Sequence, residues 1–294
     1  MRQKILLTGS TGFIGKNLKE YLEPRYELYA PPRKELELTD KEAVKDYLCS
    51  HPVDVVIHAA TNPGHRWIKN PQNIAKNNVS MFFNLAECDN YFSRMIVLGS
   101  GSEYDIRRPM VRIKEEDMPK APPEDEGGYS KFLFSQYAEK NEKIINLRSF
   151  GVFGKYEAYQ IRFISNVICK ALYEVPLTIK QNRVFSYLYV DDLCRIVEMC
   201  LFRTLQYRHY NVAPDEVIDL FSIAQLVNEV AKKDLEIIVK QPGWGKEYTA
   251  DNSRLKKELG DVAFTPLREA IASLYQWYHD HRDVINYEEL LFES

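Results

Sequence analysis

The chain has 294 residues, 45% of them hydrophobic and 28% charged. That balance belongs to a globular protein of one large or two closely joined domains and is too apolar for disorder. A net charge of −3 argues against a nucleic-acid partner held by general electrostatics. No apolar run approaches the roughly 20 residues of a membrane span, and Met1-Arg2-Gln3-Lys4 leads into a strand rather than a signal peptide. The five cysteines, Cys49, Cys88, Cys169, Cys194 and Cys200, are odd in number and form no CxxC. The expectation is therefore no disulfide framework, no metal, no membrane and a cytoplasmic setting.

Short apolar runs alternate with helical periodicity over the first 150 residues. Lys4–Thr8 reads as a buried strand, and Phe13, Ile14, Leu18, Tyr21 and Leu22 recur at helical spacing between Gly12 and Leu22. Glu27–Ala30 is a second strand closed by Pro31-Pro32, Lys41–Leu48 a helix, and Val53–His58 a nearly uninterrupted apolar strand. A helix over about Ile74–Cys88, a strand at Met95–Leu98, a helix at Lys131–Lys140 and a strand at Ile144–Leu147 continue the pattern. Strands apolar on both faces, alternating with helices, predict a parallel sheet covered on both sides. Beyond residue 150 the rhythm loosens around Pro176, Pro214, Pro242-Gly243 and Pro266, with helices expected at Arg162–Tyr173 and Leu220–Lys232.

Thr8-Gly9-Ser10-Thr11-Gly12-Phe13-Ile14-Gly15 is a GxxGxxG set between the first strand and the first helix. Gly9 permits the tight turn, Gly12 lets backbone approach a pyrophosphate, and Gly15 lets helix pack closely on strand; the helix N-terminus then offers N–H groups and dipole to phosphates. Dinucleotide binding is the expectation. The second strand ends Ala30-Pro31-Pro32-Arg33-Lys34, with no acid before Glu35, whereas NAD-selective sites usually place a carboxylate there. Arg33 suits a 2′-phosphate, so NADP is slightly favoured and NAD stays open.

Several further segments, in this order, carry a family resemblance: Val56-Ile57-His58-Ala59-Ala60, Asn78-Val79, Leu98-Gly99-Ser100-Gly101-Ser102-Glu103-Tyr104, Gly128-Tyr129-Ser130-Lys131, Leu147–Gly154, Tyr187–Leu193, Asn211-Val212 and Ser253–Gly260. With the glycine loop, they make the chain resemble the extended short-chain dehydrogenase/reductase family, in its NAD-dependent epimerase/dehydratase group acting on nucleotide sugars. Arg33 and Glu35–Asp40 resemble most the GDP-fucose synthase and dTDP-4-dehydrorhamnose reductase branches. The resemblance implies an α/β fold: a Rossmann-like doubly wound parallel sheet over 1–154, also receiving about 189–204. A smaller, partly interleaved α/β substrate lobe would occupy mainly 155–294. It also implies cofactor contacts from Gly9, Thr11, Gly12, Phe13, Ile14, Gly15, Arg33, Glu37, Leu38, His58, Ala59, Ala60, Asn78 and Lys131.

In such enzymes a Ser or Thr, a Tyr, and a Lys four residues after the Tyr do the chemistry. The phenol exchanges a proton with a sugar oxygen, and the lysine lowers the phenol's pKa and binds the nicotinamide ribose. Ser100 and Lys131 match two of the three. The position four before Lys131 is Gly127. Tyr129, two residues before Lys131, falls about 200° round a helix. It would serve only if the helix began later than it, and it heads the replacement acid/bases, ahead of Tyr104, Glu103 and His65. Phe185 and Gly151 stand where the family usually has an Arg and an Asn, so the grip on substrate passes to Ser102, Arg162 and Arg183, with Lys155 as another candidate anion ligand.

Trp244 is read as stacking on a nucleobase or anchoring its own loop. The aromatic residues Phe82, Phe83, Phe132, Phe134 and Tyr137 suit either a homodimer face or a core. The leading function is NAD(P)-dependent modification of a nucleotide-activated sugar, as epimerase, 4-keto reductase or dehydratase. The alternative is a catalytically silent binder of a dinucleotide or nucleotide sugar.

Overall fold

The structure is a computed structural model and describes residues 2–62, 72–260 and 262–291. The described strands are β1 (Lys4–Thr8), β2 (Glu27–Tyr29), β3 (Val55–His58), β4 (Arg94–Ser100), β5 (Met110–Ile113), β6 (Ile144–Ser149), β7 (Leu177–Asn182), β8 (Val184–Phe185), β9 (His209–Val212), β10 (Ile218–Asp219), β11 (Ile237–Trp244) and β12 (Tyr248–Ala250). The described α-helices are α1 (Phe13–Leu22), α2 (Lys41–Ser50), α3 (Ile74–Ala86), α4 (Glu126–Ala138), α5 (Phe163–Leu172), α6 (Val190–Leu201), α7 (Leu220–Ala231), α8 (Ser253–Leu259), α9 (Leu267–Asp280) and α10 (Tyr287–Leu291).

The strands of the central sheet carry unbroken apolar runs, Ile5–Leu7, Val55–Ile57 and Met95–Leu98, because side chains alternate between two covered faces. Ile5, Leu7, Val55, Ile57, Ile96 and Leu98 enter one core with Leu18 and Leu22 of α1 and Leu193 and Val197 of α6. Leu6, Val56, Met95 and Val97 enter the other, against Val44 of α2, Phe82 and Leu85 of α3 and Phe134 of α4. The order is β2-β1-β3-β4-β6-β9, with every pairing parallel. The chain leaves β1 for β2 on one side and returns to β3 on the other. The strand order therefore reverses between β1 and β3, and a ligand crevice forms beyond their carboxyl ends.

Two elements from beyond residue 155 join the central sheet and its core. β9 closes the central sheet, and Leu255 and Leu259 of α8 pack into the core beneath it, although both lie beyond residue 155. A four-residue strand and a short helix gain stability only from this distant packing, and local periodicity does not reveal it. The smaller lobe has its own core, built from α5, α7, α9 and β7. A four-stranded sheet, β10-β8-β12-β5, joins the lobes.

α4 begins at Glu126 rather than Lys131. The Asp125 carboxylate accepts the Gly128 N–H at 2.6 Å, and this N-cap offsets the poor helix propensity of Gly127 and Gly128. Tyr129 consequently sits inside the helix and is 38% exposed. That start removes the condition on which Tyr129 was expected to act, because two residues of helix turn it away from the side that carries Lys131. Phe82, Phe132 and Phe134 are buried within the chain, with Phe82 stacked on Phe134 at 4.3 Å.

β4 runs to Ser100 and is held there by a buried polar network. Glu103 is 0% and Arg148 2% exposed, with Arg148 Nε donating to Glu103 Oε2 at 2.9 Å. The same carboxylate accepts the Ser100 N–H at 3.0 Å and the Ser135 hydroxyl at 2.5 Å. Arg148 also donates to the Tyr104 hydroxyl at 2.7 Å, and Tyr104 in turn donates to Asn211 Oδ1 at 2.8 Å. Glu103 and Tyr104, expected as candidate acid/bases, are thus consumed in structure. Arg148→Ala would strand the Glu103 charge in the core and is expected to cost about 3–5 kcal/mol in urea unfolding. A loss below about 1 kcal/mol would contradict this account of the network.

Candidate active site

A cavity of about 540 Å³ opens at the crevice beyond β1 and β3, floored by the glycine loop. The local sequence dictates its shape. A Cβ on Gly9 would lie 2.6 Å from the Ala60 backbone nitrogen, and one on Gly15 would overlap the Gly9 carbonyl. Gly9 also has φ +70°, a conformation that L side chains rarely take. Gly12 is the N-cap of α1 and brings no side chain to cap the helix. The first N–H groups of α1 and the positive end of its dipole therefore face the cavity, an arrangement that suits phosphate.

Of the residues expected to hold a dinucleotide, the loop from Gly9 through Gly15, Arg33, Glu37, Leu38, Ala59 and Ala60 line this cavity. Arg33 Nε donates to Glu37 Oε2 at 2.6 Å, with the Arg33 side chain 79% exposed. Burial works against the Glu37 carboxylate, but the Thr39 N–H and hydroxyl and the Arg33 guanidinium together hold its pKa below the ordinary value.

Three expected contacts stand behind the wall instead. His58 is fully buried, its Nδ1 3.0 Å from the Thr8 hydroxyl. Burial, reinforced by the nearby Lys131 charge, pushes it down to about 3, so it is a neutral spacer under the loop and does not reach a ligand. Asn78 is buried and binds the Asn62 backbone at both ends, accepting its N–H at 2.6 Å and donating to its carbonyl at 3.3 Å. It therefore shapes the wall, which Asn62 itself lines. The Lys131 amine donates to the Leu98 carbonyl at 2.7 Å. Burial pulls it down to about 8 against the opposing pull of Glu103. A lysine so placed stays largely protonated at pH 7 but loses its charge far more readily than a solvated one, and one of its three N–H donors is given to the end of β4.

Ser100 ends β4, and its hydroxyl accepts the Ser102 N–H at 3.2 Å. One turn before Lys131, a Cβ on Gly127 would meet only Asp125 Oδ1, at 3.4 Å. This position holds no side chain and has room for one. His65 lies outside the described residues.

On the substrate side Arg162, the N-cap of α5, lines the cavity and is exposed. Arg183 is exposed and stacks over the Phe185 ring at 5.1 Å, away from the cavity walls. Lys155 is paired with Glu20 at 2.5 Å. Phe185 belongs to an aromatic group with Tyr187 at 5.1 Å and Tyr248 at 5.7 Å. Gly151 has φ +49° and crosses so close to the Ser186 carbonyl that a side chain there would collide with it. Trp244 is 66% exposed and contributes nothing to the cavity wall.

Sequence reading missed Glu157. It lines the cavity, is 5% exposed, takes the Ser165 hydroxyl on one oxygen and has no hydrogen-bond partner on Oε2 among the described residues. Burial pushes this carboxyl up to about 7, with Ser165 and Arg162 pulling the other way. A single glutamate in an irregular stretch gives no sequence signal for such a position.

Residues 5–213 match the family model described as the NAD dependent epimerase/dehydratase family, and the chain belongs to that family. It is 24% identical to the uncharacterised protein MJ1055 of Methanocaldococcus jannaschii over 96% of this chain and 98% of that one. Over 106 residues, 34% of each chain, it is 39% identical to the GDP-L-colitose synthase of Yersinia pseudotuberculosis. Among solved structures, the GDP-mannoheptose C4 reductase of Campylobacter jejuni, with NADP bound, aligns with a TM-score of 0.79 at 20% identity over 95% of this chain and 98% of that one. At that identity the likeness is one of fold.

Two predictions follow from the geometry. Gly127→Ala replaces a helical glycine where space is open and is expected to raise stability by about 0.5–1 kcal/mol, whereas Gly15→Ala destabilises the fold and closes the cavity. Equal melting temperatures for the two variants would contradict this. His58 separates the folded and unfolded chains in acid. Unfolded, it takes up a proton near pH 6.5; folded, it refuses one until about pH 3. Each pH unit lost within that window therefore removes about 1.4 kcal/mol of stability. His58→Gln lacks this dependence, so the difference between the two stability–pH curves should slope across pH 6 to 4. A flat difference would show that His58 is not held neutral.

Proposed function

We propose that the protein binds NADP(H) in the cavity beyond β1 and β3 and uses it in hydride transfer with a nucleotide-activated sugar, a keto sugar being reduced. The observation that carries this reading is the glycine-floored cavity at the strand-order reversal, with Ser100 and Lys131 on the adjacent strand end and helix. The fit is physical: Gly9 lets the loop pack on the Ala59–Ala60 backbone and Gly15 lets α1 pack on the loop, and α1 presents its uncapped N-terminus at Gly12. When bound, the nicotinamide supplies the hydride. The chain's own residues hold the partners. The glycine loop takes the pyrophosphate, Leu38 and Thr39 flank the adenosine end, and Ser100 hydrogen-bonds the reacting oxygen. Arg162, at the start of α5, takes a phosphate of the sugar nucleotide, with Ser102 beside Ser100. The names of the relatives, a GDP-L-colitose synthase and a GDP-mannoheptose C4 reductase, support a guanosine diphosphate sugar and reduction at C4.

Gly127 favours a second reading, a binder of dinucleotide and nucleotide sugar without turnover. A missing acid/base typically removes a factor of 10² to 10⁴ in rate, so this reading predicts tight binding and no product.

The NADP preference rests on Arg33. A 2′-phosphate would take its guanidinium from Glu37 by charge-assisted bonds. Arg33→Ala is therefore expected to weaken NADPH binding at least tenfold in a fluorescence titration and to leave NADH binding within about twofold. Glu37→Gln, which frees Arg33, should tighten NADPH. Equal loss for both cofactors in Arg33→Ala would show NAD to be as good a ligand. No saturable binding of either would remove the basis of the proposed function.

A further inference from the structure

The phenol missing at position 127 has a counterpart on the other lobe. Tyr248 opens β12, where it pairs with Met110 of β5 and Phe185 of β8. Its ring is clasped between Phe150 at 5.0 Å and Phe185 at 5.7 Å. The hydroxyl lies beside the end of β4 and occupies the place a Cβ on residue 101, next to Ser100, would need, so the approach depends on Gly101. The charges that act on this phenol are Glu103, behind Ser100; Arg162, on the cavity wall; and Asp125, the cap of the helix that carries Gly127. Tyr248 thus brings its phenol to the residue that follows Ser100, at the end of β4.

We propose that Tyr248 is the proton donor of this site, delivering to the oxygen held by Ser100 the proton that residue 127 has no side chain to give. The proposal rests on the reductive reading above. As the hydride reaches the keto carbon, the carbonyl π pair moves onto oxygen. The Tyr248 O–H bond breaks and its proton goes to that oxygen, leaving an alcohol and a phenolate, which water reprotonates. The dinucleotide is oxidised and the ketone reduced. Burial pushes the phenol up to about 12, and the neighbouring Ser100 hydroxyl offsets part of the rise. A group this reluctant to ionise serves as an acid toward a forming alkoxide and poorly as a base toward an alcohol, which matches reduction rather than oxidation.

Tyr248→Phe, Ser100→Ala, Gly127→Tyr and the Tyr248→Phe/Gly127→Tyr double variant test this in the full chain. Tyr248→Phe should lower kcat for reduction of a nucleotide 4-keto sugar by about 10²-fold or more while the NADPH Kd stays within about twofold. The double variant should recover part of the rate. Without cofactor, in fluorotyrosine-labelled protein, the fluorine resonance that vanishes in Tyr248→Phe should move in Ser100→Ala. A rate for Tyr248→Phe within about threefold of the parent overturns the proposal, as does an unmoved resonance. An inactive parent beside an active Gly127→Tyr overturns Tyr248 as donor and leaves the nucleotide-sugar reading standing. Absence of reduction by every one of these chains overturns both.

Discussion

A single carboxylate sets the geometry around which the two lobes meet. Glu103, wholly buried, receives the Ser100 N–H, the Ser135 hydroxyl and the Arg148 guanidinium. It thereby fixes the end of β4 to α4 and to β6. A buried ion pair of this kind contributes little net stability, but it penalises any arrangement that leaves either partner alone. The result is a strand end held in place at Ser100. Lys131 is tied to the carbonyl of Leu98, two residues earlier on the same strand.

The site is uneven. At the glycine loop the geometry is one of close backbone packing, in which steric exclusion of a Cβ at Gly9 and Gly15 matters more than any side-chain contact. Across from it stand Phe185 and Gly151, at the positions where the resemblance implies an Arg and an Asn. Phe185 joins an aromatic wall with Tyr187 and Tyr248, and Gly151 sits in a left-handed conformation against the Ser186 carbonyl. Arg162 and Glu157 line the cavity, and this aromatic group does not. Glu157 near pH 7 is able to pass from acceptor to donor beside Arg162, which brings the local charge within reach of ordinary pH.

The central sheet was legible because its signals are local. Unbroken apolar runs in the strands, a GxxGxxG between β1 and α1, and helices of ten or more residues all announce themselves within a short window. The start of α4 was not, since two glycines masked a helix that Asp125 caps and the α3 packing supports. Glu103 and Tyr104 were visible as titratable groups beside Ser100, but nothing local shows that Arg148 and Asn211, more than forty residues away, consume them. Tyr248 lies on a strand of three residues whose partners are at 110 and 185. Its meeting with Ser100 is a product of tertiary pairing, and no periodicity encodes it.

The account turns on whether hydride passes to a sugar nucleotide in this site. The most direct measurement supplies NADPH deuterated at the nicotinamide C4 together with a guanosine-diphosphate 4-keto sugar and weighs the sugar product by mass spectrometry. The account predicts an alcohol carrying one deuterium at C4, formed in proportion to protein. Recovery of unchanged ketone, with the dinucleotide bound and still reduced, would contradict it and leave a binding protein in its place.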